Sequence, residues 1–69
     1  MGDPRLGSRL KEIRTEAGLT QAELAERAGV SRKTINTVEN GVFVPSTVLA
    51  LALARALGTT VEGLFYLVE

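Results

Sequence analysis

Two helix-start signals near the middle of the chain leave room between them for one short helix and a tight turn. The first is Thr20 followed by Glu23, the pairing of a capping box, in which each side chain accepts a backbone N–H of the other residue. The second is Ser31, a residue type that is favoured at the N-cap. Gly29 lies just before it and suits the left-handed conformation that ends many helices. The sequence therefore predicts two short helices separated by a turn.

Apolar residues on either side of these caps support the same boundaries. Leu19 and Leu24 flank the first cap, and Val30 and Ile35 flank the second, each at the spacing of a hydrophobic staple. The connecting residues, AGVS at 28–31, form a short turn that contains glycine. Such a turn holds two helices at the steep angle of a helix-turn-helix motif.

The sequence predicts three further helices, so we expect an all-α fold. Apolar residues at helical spacing predict a first helix over about 4–17 and a fourth over about 47–57. The fourth segment is apolar on nearly all sides, so we expect it to be buried on most sides. A fifth helix should begin near 59–60, although Gly63 disfavours it. The tail FYLV at 65–68 is equally compatible with extended structure.

The whole sequence, residues 1–69, is short enough to form a single domain. Cysteine and histidine are absent, which removes disulfides, thiolate chemistry and the commonest metal ligands, so we expect no cofactor and no metal. Domains this small often gain stability from a partner subunit, and size therefore favours a homodimer. The chain has no apolar run long enough for a membrane span and no secretory signal pattern, so we expect a cytoplasmic protein.

Charge alone does not indicate a nucleic-acid partner, because the formal net charge is zero. The basic residues are nevertheless unevenly placed, since all except Arg55 precede Asn40. Acidic residues share that part of the chain. Any positively charged surface must therefore be produced by folding, which has to turn carboxylates away from it.

The third predicted helix divides into two arcs when it is drawn at about 100° per residue. One arc is polar and contains no acid, and its members are Arg32, Lys33, Asn36, Thr37 and Asn40. The other arc holds Thr34 and the apolar residues Ile35 and Val38. Side chains of the polar arc can bond base edges in the major groove or phosphates. An ordinary solvated helix face is the alternative, and the short turn before this helix favours DNA binding.

The stretch LTQAELAERAGVSRKTINTVENGVFVPS, continued by LALARALGTTVEGLF, resembles the phage repressor/Cro-like (XRE-type) helix-turn-helix family of transcriptional regulators. The resemblance runs from about Arg9 to Phe65 and includes LTQ-x-x-LA, AGVS and I-x-x-x-E-N-G. It implies a compact five-helix domain with the helix-turn-helix at about 20–40. Members of the family usually bind double-stranded DNA as dimers on a roughly palindromic operator.

The resemblance also implies roles for the polar residues of the motif. Arg32, Lys33 and Thr37 match base-reading positions of the recognition helix, at about 32–40, and Asn36 lies between them as a further candidate. Gln21 either bonds a phosphate or supports the recognition helix, and the alternative is an ordinary surface glutamine.

Other positions of the family pattern have both a functional and a purely structural interpretation. Ser31 and Thr34 are candidates for phosphate contacts, although Ser31 could serve only as a cap. Asn40 either meets a phosphate or simply ends the helix. Arg14 and Glu39 match a buried ion pair between the first and third helices, and the alternative is two unrelated surface charges.

The apolar C-terminal segment, about 59–69, is the expected dimerisation region, together with the fourth helix. The candidate interface residues are Leu64, Phe65, Tyr66, Leu67 and Val68. The alternative is that they complete the core of one subunit, and this applies to Leu64 and Phe65 in particular. Phe43 and Val44 either pack on the core, which we favour, or approach the DNA backbone.

The sequence thus favours a small, non-enzymatic, repressor-like transcriptional regulator with no membrane association and no evident small-molecule effector. The alternative is a protein-interaction module, antitoxin-like or an assembly partner, for which DNA binding is secondary. An enzyme is disfavoured, because the polar side chains are too dispersed to build a catalytic site.

Overall fold

A computed structural model of the protein describes residues 2–68, in which a two-stranded antiparallel sheet joins the ends of a five-helix bundle. The strands are β1 (Leu6–Ser8) and β2 (Phe65–Leu67). The helices between them are α1 (Leu10–Glu16), α2 (Gln21–Ala28), α3 (Arg32–Glu39), α4 (Thr47–Leu57) and α5 (Val61–Leu64). The fold is therefore mostly helical, as the sequence predicts.

Side-chain caps fix where the central helices begin. The Thr20 hydroxyl accepts the Glu23 backbone N–H at 3.0 Å, and the Glu23 carboxylate accepts the Thr20 backbone N–H at 2.9 Å, which completes the capping box. Ser31 and Ser46 each accept the backbone N–H three residues later. Gly29 ends α2 in the left-handed conformation, with φ of 72°. The predicted boundaries of α2, α3 and α4 are confirmed.

The predicted start of the first helix is wrong, because residues 6–8 form β1 and α1 begins only at Leu10. β1 pairs with β2 in the register Leu6 with Leu67, Gly7 with Tyr66 and Ser8 with Phe65. The Ser8 hydroxyl then accepts the Leu10 backbone N–H at 3.2 Å, at the point where the helix begins. Pairing with a strand at the opposite end of the chain therefore overrides the local apolar periodicity.

Every helix contributes at least one fully buried residue to the core. These residues are Leu10, Leu24, Ile35, Val38, Leu53 and Leu64. Phe65 is also buried, and Phe43 packs against the core as expected, whereas Val44 is exposed. Burying a side chain of this size contributes about 1.5–3 kcal/mol. Leu64 and Phe65 therefore belong to the core of one subunit, with Leu64 fully buried and Phe65 7% exposed.

One side of α4 remains exposed, although the apolar composition of this helix predicts burial on most sides. Ala50, Leu53 and Ala54 face the core. Val48 and Leu51, by contrast, are 78% and 56% exposed. Within residues 2–68, no helix has the length and apolar character needed to cross a bilayer.

Candidate nucleic-acid interface

The side chains that the sequence predicts to read bases lie together on the exposed face of α3. Arg32, Lys33 and Asn36 are exposed, and Thr37 is half-buried. The opposite side of the helix is buried through Ile35 and Val38. A helix with one buried side and one polar side of this kind can lie in a groove while it stays packed on its own domain.

Hydrogen bonds within α3 hold several of the smaller polar side chains. The hydroxyl oxygens of Ser31 and Thr34 lie 3.0 Å apart, and Ser31 also accepts the Thr34 backbone N–H at 3.1 Å. The Thr37 hydroxyl donates to the Thr34 carbonyl at 3.0 Å. At the end of the helix, the Asn40 side-chain amide donates to the Asn36 side-chain oxygen at 3.2 Å. Ser31 therefore acts as a cap, and Asn36 and Asn40 form a hydrogen-bonded pair.

The exposed face of α3 is neutral to basic, even though the chain carries no net charge. Within residues 2–68, neither Arg32 nor Lys33 forms an ion pair. The acid of this helix, Glu39, points inward, and its side chain is only 1% exposed. Folding thus separates the cations of α3 from its carboxylate.

Glu39 forms a buried ion pair with Arg14 of α1. The Arg14 Nε donates to Glu39 Oε2 at 2.6 Å, and the Nη2 donates to Oε1 at 3.2 Å. A third donor of Arg14, Nη1, bonds the Leu19 carbonyl at 2.8 Å. The hydrogen bond to Glu39 raises the pKa of Arg14 above its already high usual value, so the guanidinium stays charged throughout the ordinary pH range. The pair connects α1 to the end of α3.

Gln21 joins the same cluster from the start of α2. Its side-chain Nε2 donates to Glu39 Oε1 at 3.0 Å, and its side chain is half-buried. The Glu39 carboxylate therefore accepts hydrogen bonds from two different helices. Sequence reasoning considered Gln21 as a phosphate contact or as a support but did not identify Glu39 as its partner, because the two residues meet only once α2 and α3 have packed.

A second surface, which we call the α4 face, consists of Val44, Val48, Leu51 and Leu67, all exposed. Two of these residues, Val44 and Leu51, line a groove of about 250 Å³ between α4 and the sheet. The half-buried Leu6 and the buried Phe65 line it as well. Side chains alternate along a strand, so Leu67 is on the same side of β2 as Phe65. Val48 and Leu51 were missed as interface candidates, and the signal for them was the surplus of apolar positions in α4.

Tyr66 points away from this groove, on the other side of the sheet. A Cβ atom at Gly7, its partner in β1, would lie 2.3 Å from the Tyr66 ring. The Arg9 guanidinium lies 5.4 Å from the ring centroid, within the range of a cation–π contact. Leu67 is thus the exposed interface candidate of the C-terminal segment that lies on the same side of the sheet as the groove.

Comparison with known proteins places the chain among regulators. Residues 10–64 match the helix-turn-helix family. The chain is 52% identical over 61 residues to an uncharacterized HTH-type transcriptional regulator of Methanothermobacter thermautotrophicus, an alignment that covers 87% of this chain and 88% of that protein.

Two solved structures show the same architecture. The restriction-modification controller protein C.AhdI from Aeromonas hydrophila is similar with a TM-score of 0.76 and 41% identity, over 78% of this chain and 82% of that one. SinR, a master regulator for biofilm formation solved in complex with DNA, is similar with a TM-score of 0.74 and 31% identity, over 78% of this chain and 87% of that one. The chain therefore belongs to the phage repressor/Cro-like (XRE-type) helix-turn-helix family of transcriptional regulators, as the resemblance in its sequence predicts.

Proposed function

We propose that the protein is a sequence-specific regulator that inserts α3 into the major groove of double-stranded DNA. The observation that carries this proposal is the exposed, acid-free face of α3, with Arg32 and Lys33 unpaired within residues 2–68. Arginine and lysine bond guanine edges, and asparagine and threonine bond other base edges, all within the major groove. The similar protein SinR was solved in complex with DNA, which supports DNA as the partner of this chain.

In this proposal, some polar residues of the motif contact DNA bases and others contact the DNA phosphates. Arg32, Lys33 and Thr37 read base edges, with Asn36 beside them. The residues near the two ends of α3, which are Ser31, Thr34 and Asn40, approach phosphates. Because the chain has no net charge, non-specific binding is weak, salt dependence is modest, and affinity is concentrated in the specific site.

The protein acts as a homodimer in this proposal, with the α4 face as the contact between subunits. Exposed apolar side chains around an apolar groove are the mark of an interaction surface. A two-fold dimer presents the same face on both subunits, so each copy supplies an α4 face to the other. Two recognition helices about 34 Å apart would then enter successive major grooves of a palindromic operator. From the segment at about 59–69, Leu67 contributes to this contact.

Leu51→Glu is expected to convert the dimer to monomers, because it places a charge in the centre of an apolar contact. Val42→Glu is the matched control, since Val42 is 54% exposed, close to the 56% of Leu51, and lies outside the α4 face. Sedimentation velocity at micromolar concentration measures the outcome. A wild-type monomer, or a Leu51→Glu variant that remains dimeric, would contradict this interface.

Selection of bound duplexes from a random DNA pool tests the function directly. The expected result is a palindromic consensus whose half-sites are one helical turn apart. A pool that shows no enrichment over its starting composition contradicts sequence-specific binding. A single enriched half-site without symmetry keeps the DNA-binding proposal and rejects the dimeric arrangement.

The α4 face and the zero net charge also support a second candidate, a protein-interaction module for which DNA is secondary. Retention on heparin and on random DNA at low salt discriminates between the two. A DNA regulator is retained and then eluted by salt, because its contacts include phosphates. Passage through both columns without retention would favour the interaction module.

A further inference from the structure

We propose that Asn40 determines which base Asn36 reads, because it engages the oxygen of the Asn36 amide and leaves the nitrogen for DNA. This inference rests on the proposed function and deepens it, since it names the chemistry of one base contact. The observation behind it is a hydrogen bond of 3.2 Å, in which Asn40 Nδ2 donates to Asn36 Oδ1. The expected base at this position is guanine, whereas an asparagine with a free amide typically pairs with adenine.

The two asparagines lie one helical turn apart at the end of α3. Both are exposed, Asn36 within the helix and Asn40 as its C-cap. Side chains four residues apart are neighbours on a helix surface. Their backbones are also joined, since the Asn40 N–H donates to the Asn36 carbonyl at 3.0 Å. The helix therefore sets the separation of the two side chains, and the bond between their amides needs little further ordering.

The direction of this bond decides what the Asn36 amide offers to a base. An amide has one oxygen, which accepts, and one nitrogen, which carries two N–H donors. The bond to Asn40 turns the Asn36 oxygen along the helix, toward residue 40, and the nitrogen keeps both of its donors. In the major groove guanine presents two acceptors, whereas adenine presents one acceptor and one donor. A side chain that offers only donors therefore fits guanine.

A phosphate next to Asn40 would reinforce this orientation. In the proposed complex Asn40 approaches the DNA backbone, whose phosphate oxygens accept hydrogen bonds from side-chain donors. Asn40 must then direct its nitrogen, and not its oxygen, toward the phosphate. This nitrogen has two N–H donors, so one can bond the phosphate while the other bonds Asn36. The reverse orientation would place the Asn40 oxygen against the phosphate oxygens.

Three substitutions test the inference. Asn36→Ala identifies the base pair that Asn36 reads, because the preference at that position alone is lost. Asn40→Ala removes the pair and frees the Asn36 oxygen. Asn40→Asp reverses the pair, since a carboxylate only accepts and Asn36 must then donate from its nitrogen and present its oxygen to DNA. The φ of Asn40 is −89°, outside the left-handed region, so both changes fit the backbone there.

Selection from a random duplex pool is repeated with each protein, and the bases are compared at the position that Asn36→Ala identifies. The wild type should prefer guanine to adenine by about tenfold, the size of one good base contact. Asn40→Ala should shift the preference to adenine, and Asn40→Asp to a base that presents a donor, adenine or cytosine. Loss of a phosphate contact weakens binding to all sequences alike, so it does not affect this comparison.

Thr34→Ala is the control, because it removes another candidate phosphate contact and leaves the amide pair in place. Its preference at the Asn36 position should equal that of the wild type. A wild-type preference for any base other than guanine overturns the inference, and so does a preference that neither substitution of Asn40 changes. An Asn36→Ala protein that loses no preference overturns it as well.

A measurement on the free protein separates this inference from the proposed function. NMR couplings that report the χ1 angle of Asn36 should show rotamer populations that differ by about twofold between the wild type and Asn40→Ala, the effect of one side-chain pair at this spacing. Identical populations would show that the pair does not form and overturn the inference. A wild type that selects no duplex refutes the proposed function instead, whatever the couplings show.

Discussion

Arg14→Met should lower the free energy of unfolding by about 3–5 kcal/mol, the usual cost of removing one partner from a buried ion pair. The Arg14 side chain is 10% exposed, and the substitution would leave the Glu39 carboxylate buried without its principal partner. The Leu19 carbonyl would lose a 2.8 Å hydrogen bond at the same time. Small domains have a total stability of about 5–15 kcal/mol, so this variant should be close to unfolding at room temperature.

The chain offers a matched control in its other ion pair within residues 2–68. Arg5 and Asp3 are 2.7 Å apart, but the Arg5 side chain is largely exposed. The hydrogen bond from Arg5 lowers the pKa of Asp3 to about 2, yet solvent screens this pair, so Arg5→Met should leave the unfolding midpoint nearly unchanged. Urea unfolding followed by circular dichroism measures both variants. Equal midpoints for Arg14→Met and Arg5→Met would show that burial of the Arg14–Glu39 pair does not matter for stability.

Arg32→Ala should reduce affinity for the selected operator by about 1–3 kcal/mol and relax the base preference at one position in each half-site. Arg32 is exposed at the start of α3, where its guanidinium can form two parallel hydrogen bonds to a guanine edge. A substitution that removed only a phosphate contact would instead weaken binding to all sequences alike.

Arg27→Ala is the control for this prediction, because it removes the same charge from an exposed position on α2. Repeating the duplex selection with each variant measures the change in base preference. The recognition-face assignment would be refuted by an Arg32→Ala protein that binds operator and random DNA with wild-type affinities.

Those parts of the fold that depend on neighbouring residues could be predicted from the sequence. The caps at Thr20, Ser31 and Ser46 act within four residues, so the starts of α2, α3 and α4 follow from residue types and spacing. The division of α3 into a buried and an exposed side likewise follows from helical periodicity alone. This is why the sequence identified the exposed Arg32 and Lys33.

Features that depend on distant contacts could not be predicted in the same way. Leu6 has helical spacing to Leu10, yet it lies in β1 because its partner strand is at the other end of the chain. The bond between Gln21 and Glu39 requires the packing angle of two helices, which no local pattern specifies. The surface on α4 likewise depends on which side of that helix the rest of the chain covers.

The hydrogen bond from the Val68 backbone N–H to the Arg5 carbonyl, at 2.6 Å, holds the first and last parts of the described chain side by side. A covalent link between the segments at Arg5 and Val68 would therefore have only a short distance to span. Ring closure removes conformational freedom mainly from the unfolded chain and leaves the bundle undistorted. For the same reason, fluorophores attached at Arg5 and at Val68 would occupy the same corner of the molecule, next to β1 and β2.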